Sequence, residues 1–344
     1  MITKLNEKNY QSDKIFKLIY PEDNDTLSKM KGKDLQELLI NLSDYQLQLR
    51  NNLNIENKTT IGLELEFEKA NLYNIEKEIQ NSELKEWMLK TDLSLYKGGE
   101  INSPILKDRE RSWQELTTIC KIVKEYAVID KHSGGHIHIG AHILGDNIES
   151  WINFIKIWSI YENIIFRFTY GEQNDARESL VKYAYPIAPL MWHSYLELKE
   201  KEKLELFTVL SRITPARRQA VNITNISIEE INEVYNKNTI EFRCPNGTLN
   251  PIIWQNNVNL LVKLLEYTKS PKFNHDMIDK RQMINQNKYM NLYWYKEVFL
   301  QQALELSDMI FDNNLDKIYF LKQYFKDYGN NQEQPDLKVK SLTK

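Results

Sequence analysis

Five short segments carry residues able to hold cations or oxyanions, four of them at positions two apart: Glu64, Glu66 and Glu68 in "IGLELEFE" and Asp92 and Ser94 in "TDLSLY", while "GGEIN" has Glu100 alone. The others are His136 and His138 in "GGHIHIGAH", with His142 further along, and Glu241 and Arg243 in "TIEFRC". In each, apolar residues occupy the alternate positions, such as Leu63, Leu65 and Phe67, or Ile137 and Ile139. Read as strands, the segments each have one apolar face and one face of Glu, Asp, His and Arg. Same-side neighbours on a strand lie ~7 Å apart, where two like charges at an effective dielectric near 20 repel by roughly 2 kcal/mol. The three glutamates of the first segment therefore need water or a bound cation.

The set suits hard divalent cations, which take oxygen ligands and tolerate an imidazole in mixed sites. Such ions bridge nucleotide phosphates and neutralise charge during phosphoryl transfer. Arg243 fits a planar phosphate or carboxylate contact, and Arg217 and Arg218 in "TPARRQAVN" would add to it. There is no Walker-type glycine loop, so nucleotide binding would rest on metals and arginines. Each motif has a plainer reading: a solvated glutamate face, structural histidines, surface arginines. Zinc hydrolysis with His132, His136, His138 and His142 is a rival chemistry, yet it leaves Asp92, Glu241 and Arg243 without a role. A kinase and a non-catalytic scaffold are the remaining alternatives. Recurrence of the polar face on successive strands favours one shared site.

Positioning these residues requires one sheet backed by helices. Leu35, Leu38, Leu39, Leu42, Tyr45 and Leu49 have the spacing of a helix before the first strand. "WMLKTDLSLYKGGEINSPIL" predicts two strands turning at Gly98-Gly99. Helices are expected over 110–126, over a long run capped by Asp146 or Asn147 with Trp151, Phe154, Ile155, Trp158 and Ile165 on one face, over 198–212, and almost continuously from 252 to about 327. "QAVNITNI" is a further expected strand, and the tail "NNQEQPDLKVKSLTK" is expected to be disordered. The layout is α+β, with an N-terminal helical extension over 1–55, a sheet-bearing domain over 56–268, a C-terminal helical region over 269–328 and a tail over 329–344.

Composition narrows the class. Of 344 residues, 42% are hydrophobic and 27% charged, the balance of a water-soluble globular chain. A net charge of -3 supplies no basic field for nucleic acid. No signal-peptide core or membrane-length apolar run is present, so a cytoplasmic protein without membrane partners is expected. The two cysteines, Cys120 and Cys244, exclude a disulfide scaffold. The chain has 11 glycines, where average usage of roughly 7% would give about 24. Seven of these lie in or beside the segments above, which marks them as places of tight turning or close approach.

In order, "IGLELEFE", "DLSLYKGGEINSP", "GGHIHIG" and "TIEFRCPNGT" resemble the amidoligases of the carboxylate-amine ligase superfamily that includes glutamine synthetase and glutamate-cysteine ligase. The resemblance spans roughly residues 60–265. It implies a curved antiparallel sheet of the glutamine synthetase type, ATP with Mg²⁺ or Mn²⁺, and amide or isopeptide formation through an acyl phosphate. By the same resemblance Glu64, Glu66, Glu100, His136 and Glu241 are metal ligands. Arg243, with Arg218 and Arg177, would serve catalysis, and His138, Arg217 and Asp92 would face cofactor or substrate. The segment "GEQNDARESLVKYAYPIAP", with Arg177, Lys182 and Tyr185, is a candidate lid. Substrates would be small-molecule, peptide or protein carboxylates and amines, and homo-oligomer formation is left open.

Overall fold

Alternating apolar and polar residues build six antiparallel strands: β1 (Ile61–Phe67), β2 (Met88–Asp92), β3 (Gly98–Asn102), β4 (Gly135–Gly140), β5 (Val221–Asn222) and β6 (Thr239–Phe242). The computed structural model describes residues 27–30, 32–188, 190–191, 205–213, 217–234, 238–285 and 298–327. Within these, the strands form one open sheet in the order β2-β3-β1-β4-β6-β5. Helices surround it: α1 (Gly32–Asp44), α2 (Leu72–Asn81), α3 (Glu110–Tyr126), α4 (Ile148–Thr169), α5 (Leu180–Tyr183), α6 (Leu206–Ile213), α7 (Pro251–Thr268), α8 (His275–Asn285), α9 (Leu300–Ile310) and α10 (Asn314–Tyr324). None of the described helices is long and apolar enough to cross a membrane.

One face of the sheet is the core. Leu63, Leu65, Ile101, Ile137, Ile139, Ile240 and Phe242 are buried, each worth ~1.5–3 kcal/mol relative to an exposed position. Phe242 meets α4 through Phe154 and Trp158, with ring centroids at 6.3 and 5.5 Å. The α4 N-terminus is fixed by Asn147, whose Oδ1 accepts from Ser150 N at 3.1 Å. Asn250 does the same for α7, accepting from Ile252 N at 3.0 Å, with Pro251 in the first turn. The α9 and α10 helices pack on the far side of α4 and α7, where Phe168 stacks on Phe320 at 5.0 Å.

The β2–β3 turn differs from the sequence expectation. It runs over 93–97, and Gly98 and Gly99 lie inside β3. Leu93 is fully exposed at the turn tip rather than on a strand face. The left-handed residue that closes the turn is Lys97, at φ 47°. Gly98 is required for another reason: a Cβ there would sit 2.3 Å from Phe67 O and 2.6 Å from Leu95 Cβ. β2 thus ends at Asp92, its polar face is Lys90 and Asp92, and Ser94 falls in the turn. Elsewhere, α1 ends at Asp44, before Tyr45 and Leu49, and His142 sits in a 3-10 turn after β4 rather than on the strand. Residues 198–204 of the expected helix and the 329–344 tail lie outside the described residues.

Candidate metal-binding face

Strand register brings the polar residues together. Glu64 lies opposite Asn102 and His136, Glu66 opposite Glu100, and His138 opposite both Gly62 and Glu241. Two groups result, each able to point three ligand atoms that lie within 4.8 Å of one another: Glu64, His136 and Glu241, and next to them Glu66, Asp92 and Glu100. The alternation along β1 sends successive polar residues, Glu64 and Glu66, one to each group. All five expected metal ligands are thereby placed on one face. Asp92, expected to face cofactor or substrate, joins the carboxylates instead.

His136 sits between the groups. Its Nδ1 is 2.8 Å from Glu64 Oε2 and 3.7 Å from Glu241 Oε1, while Nε2 is 3.5 Å from Glu66 Oε1. The ring is buried, and Nε2 has no hydrogen-bond partner. His138 places Nε2 3.1 Å from Glu64 Oε1 and Nδ1 3.2 Å from Thr239 Oγ1. Burial opposes a charge on Glu64, but hydrogen bonds from His136 and His138 outweigh it and hold the carboxyl well below the usual carboxylate range. Against the same burial, pairing with Glu64 raises His138. Glu100 moves the other way: burial, and then the Glu64 charge, push its carboxyl up.

Several further residues fix these ligands. Asn222 on β5, buried, donates through Nδ2 to Glu241 Oε2 at 2.6 Å. Arg243 bonds Glu241 Oε1 through Nη1 and Tyr183 O through Nε at 3.0 Å. Gly134 N donates to Glu66 Oε2 at 2.5 Å, and a Cβ at Gly134 would collide with that carboxylate and with Arg177, both at 2.9 Å. On β2, Lys90 Nζ lies 3.5 Å from Glu100 Oε1. Asn222 and Lys90 are not among the residues expected from the sequence. Lys90 shares parity with Asp92, which is the signal that marks it; Asn222 shows only as a polar residue in a short apolar strand.

The remaining expected residues are not members of the two groups, although Arg177 lies against Gly134 beside Glu66. Arg177 is buried and donates to Pro245 O through Nη1, to Arg243 O through Nη2 at 2.8 Å and to Ser179 Oγ through Nε at 3.2 Å. It is a strut between backbone segments. Arg217 and Arg218 are exposed, and the Arg218 guanidinium lies 5.6 Å from the ring of Tyr183, the residue whose carbonyl accepts from Arg243. Glu68 is buried away from the groups and accepts from Tyr96 N at 3.1 Å. The four-histidine zinc arrangement is not assembled. His142 Nε2 bonds Lys58 O at 3.0 Å, and His132 lies beside Glu178 at the surface.

The residues fit divalent cations. Five carboxylates converge on a largely buried face, where ionised carboxylates are costly without a counter-charge, and a buried imidazole nitrogen points at them unpartnered. An oxygen-rich set with a single imidazole matches Mg²⁺ or Mn²⁺ better than zinc.

A family model described as "putative amidoligase enzyme" matches residues 40–265, more than half of the chain, and this span includes every residue of the two groups. Curated proteins offer no match.

Proposed function

From the premise that the chain belongs to the amidoligase family, we propose that it is an ATP- and Mg²⁺-dependent carboxylate-amine ligase working through an acyl phosphate. The observation that carries this reading is the pair of three-ligand groups side by side on one sheet face, with His136 Nε2 unpartnered between them. Glu64, His136 and Glu241 would hold one cation and Glu66, Asp92 and Glu100 another. Bound there, such ions supply Lewis-acid neutralisation of nucleotide phosphate charge.

The chain's own residues account for the rest. Arg243 is oriented by Tyr183 O and Glu241, so its remaining N–H groups can meet a phosphate or carboxylate oxygen without reorganising. The exposed Arg218 and Arg217 would draw the polyphosphate toward it. Asn222 and the Gly134 amide hold Glu241 and Glu66 in place, which keeps the ligand geometry independent of substrate. The substrate carboxylate would attack the γ-phosphorus in line; an amine would then displace phosphate from the activated carbonyl.

The test is ADP release from ATP and Mg²⁺ across a panel of amino acids and peptides, with mass spectrometry for condensation by loss of one water. Stimulated ADP release with a condensed product is expected. ADP release with a phosphorylated product instead would identify a kinase on this face, and neither release nor ATP binding would sink the ligase reading.

A further inference from the structure

Each ligand group has one carboxylate in an ion pair with a basic side chain, Glu241 with Arg243 and Glu100 with Lys90, and the two cations are held differently. Arg243, on Glu241, is 12% exposed and anchored from behind by Tyr183 O. Lys90, on Glu100, is 49% exposed and stands on β2, the terminal strand of the sheet. Besides Glu100, its neighbour is the Asn102 carboxamide, whose oxygen can accept from Lys90 Nζ at 2.5 Å while its nitrogen donates to Glu100 Oε1 at 3.3 Å. Register explains the trio, since Lys90 pairs with Glu100 across β2 and β3, and Asn102 lies two residues along β3 on the same face. A compact ammonium on a flexible four-carbon stem can leave its carboxylate at little cost, whereas a doubly anchored guanidinium cannot.

We propose that Lys90 is an exchangeable counter-ion of the Glu66–Asp92–Glu100 group: it holds Glu100 in the metal-free protein, yields it to a divalent cation, and then contacts the oxyanion carried by that cation. The inference rests on the metal reading above. A cation held by Glu100 would set like charge against the ammonium that now lies 3.5 Å from Glu100 Oε1, in a partly buried site where repulsion is strong. Lys90 would therefore swing outward, with Asn102 as its pivot, toward the solvent side from which a phosphate or carboxylate arrives. This group would then be the weaker cation site when no anion is present, and cation and oxyanion would bind there with mutual reinforcement.

Mn²⁺ titration of the full chain, followed by electron paramagnetic resonance, tests this with Lys90→Met, Lys90→Arg and, as a surface control, Lys77→Met. Two ions are expected in the wild type. In Lys90→Met the weaker site should tighten about tenfold with the tighter site unchanged, Lys90→Arg should tighten neither site, and Lys77→Met should behave as wild type. Asp92→Asn should remove the Lys90-sensitive site. Inorganic phosphate or acetate should strengthen the weaker site in the wild type at least several-fold more than in Lys90→Met, and whichever of the two does so identifies the oxyanion. Two ions bound with Lys90→Met indistinguishable from wild type, equal tightening at both sites, or Lys90→Arg behaving as Lys90→Met would overturn the role of Lys90 alone. Absence of Mn²⁺ binding to the wild type would overturn the metal reading together with it.

Discussion

Glu64 and Glu68 stand on one strand segment with the same parity, yet the structure gives them opposite work. Glu64 faces His136 and His138 within a three-ligand group, while Glu68 accepts from Tyr96 N and so ties the β2–β3 turn to the end of β1. Glu64→Gln keeps an oxygen acceptor but loses the charge, so it should lower Mn²⁺ affinity by at least tenfold and, with its charge-assisted bonds to His136 and His138 weakened, cost about 1–3 kcal/mol of stability. Glu68→Gln should leave Mn²⁺ affinity within about twofold and cost about 1–2 kcal/mol, because a buried charge-assisted bond to a backbone amide is weakened. Calorimetric titration and urea unfolding of the two variants separate these outcomes; equal losses of Mn²⁺ affinity would contradict the division. Asn222→Ala leaves one Glu241 oxygen without its donor and should cost ~10-fold or more in Mn²⁺ affinity, as removal of groups that orient metal ligands does. At this scale the sequence shows its glutamates and histidines, because alternation alone assigns their face. It does not show Asn222, whose importance depends on pairing with a strand element seventeen or more residues on, a register no local pattern encodes.

Elements decide whether the ligands stay in place. The buried Arg177 guanidinium holds the carbonyls of Arg243 and Pro245 at the end of β6 and lies against Gly134 at the start of β4, so it joins the two strands that carry Glu241 and His136. Arg177→Ala leaves buried carbonyls unpaired and should cost about 3–5 kcal/mol of stability. Arg177→Lys should recover only a small part, since an ammonium cannot reach the same divergent acceptors. Urea midpoints measure both, and a neutral Arg177→Ala would show that the strut carries no strain of the strand ends. The β4 end has a pH response of its own. Burial pulls His142 below the ordinary imidazole range, its bond to Lys58 O offsets this only in part, and Lys107 and Lys58 add to the lowering. The folded imidazole stays neutral where the unfolded one begins to protonate, near about 6.5. The unfolded chain then binds more protons, so stability falls as pH drops through and below that value. His142→Asn should flatten this part of the stability curve, read as urea midpoints between about pH 7.5 and 5.5. Helix ends and the apolar face of the sheet are legible in sequence because caps and alternation are local; the β2–β3 turn is not, because the glycines that mimic a turn signal serve a backbone approach to Phe67 instead.

For the whole molecule the informative element is α4. Its sequence shows an apolar stripe through Trp151, Phe154, Ile155, Trp158 and Ile165, and the structure buries that stripe on the sheet. It also buries the opposite side, including Lys156, Glu162 and Arg167. These polar residues are legible as a solvated helix face until their partners are known: Ile187 N and Ala188 N donate to Glu162, and Asp327 pairs with Arg167. The family match ends at residue 265, yet α9 and α10 cover α4 and α7 with aromatic and carboxamide contacts: Phe320 packs on Phe168 and Phe311, and Asn256 donates to Gln323 at 2.8 Å. The C-terminal helices should thus unfold together with the sheet layer. Phe320→Ala would open a cavity against α4 and should cost about 3–5 kcal/mol. The loss should register equally in far-ultraviolet circular dichroism and in the fluorescence of Trp151, Trp158 and Trp254, which lie in α4 and α7 and are buried. If the tryptophan transition kept its wild-type midpoint while part of the helical signal melted early, the C-terminal helices would be a separate folding unit. Coincident shifts would instead mean that residues beyond the family match help to hold the sheet face that carries the two carboxylate groups.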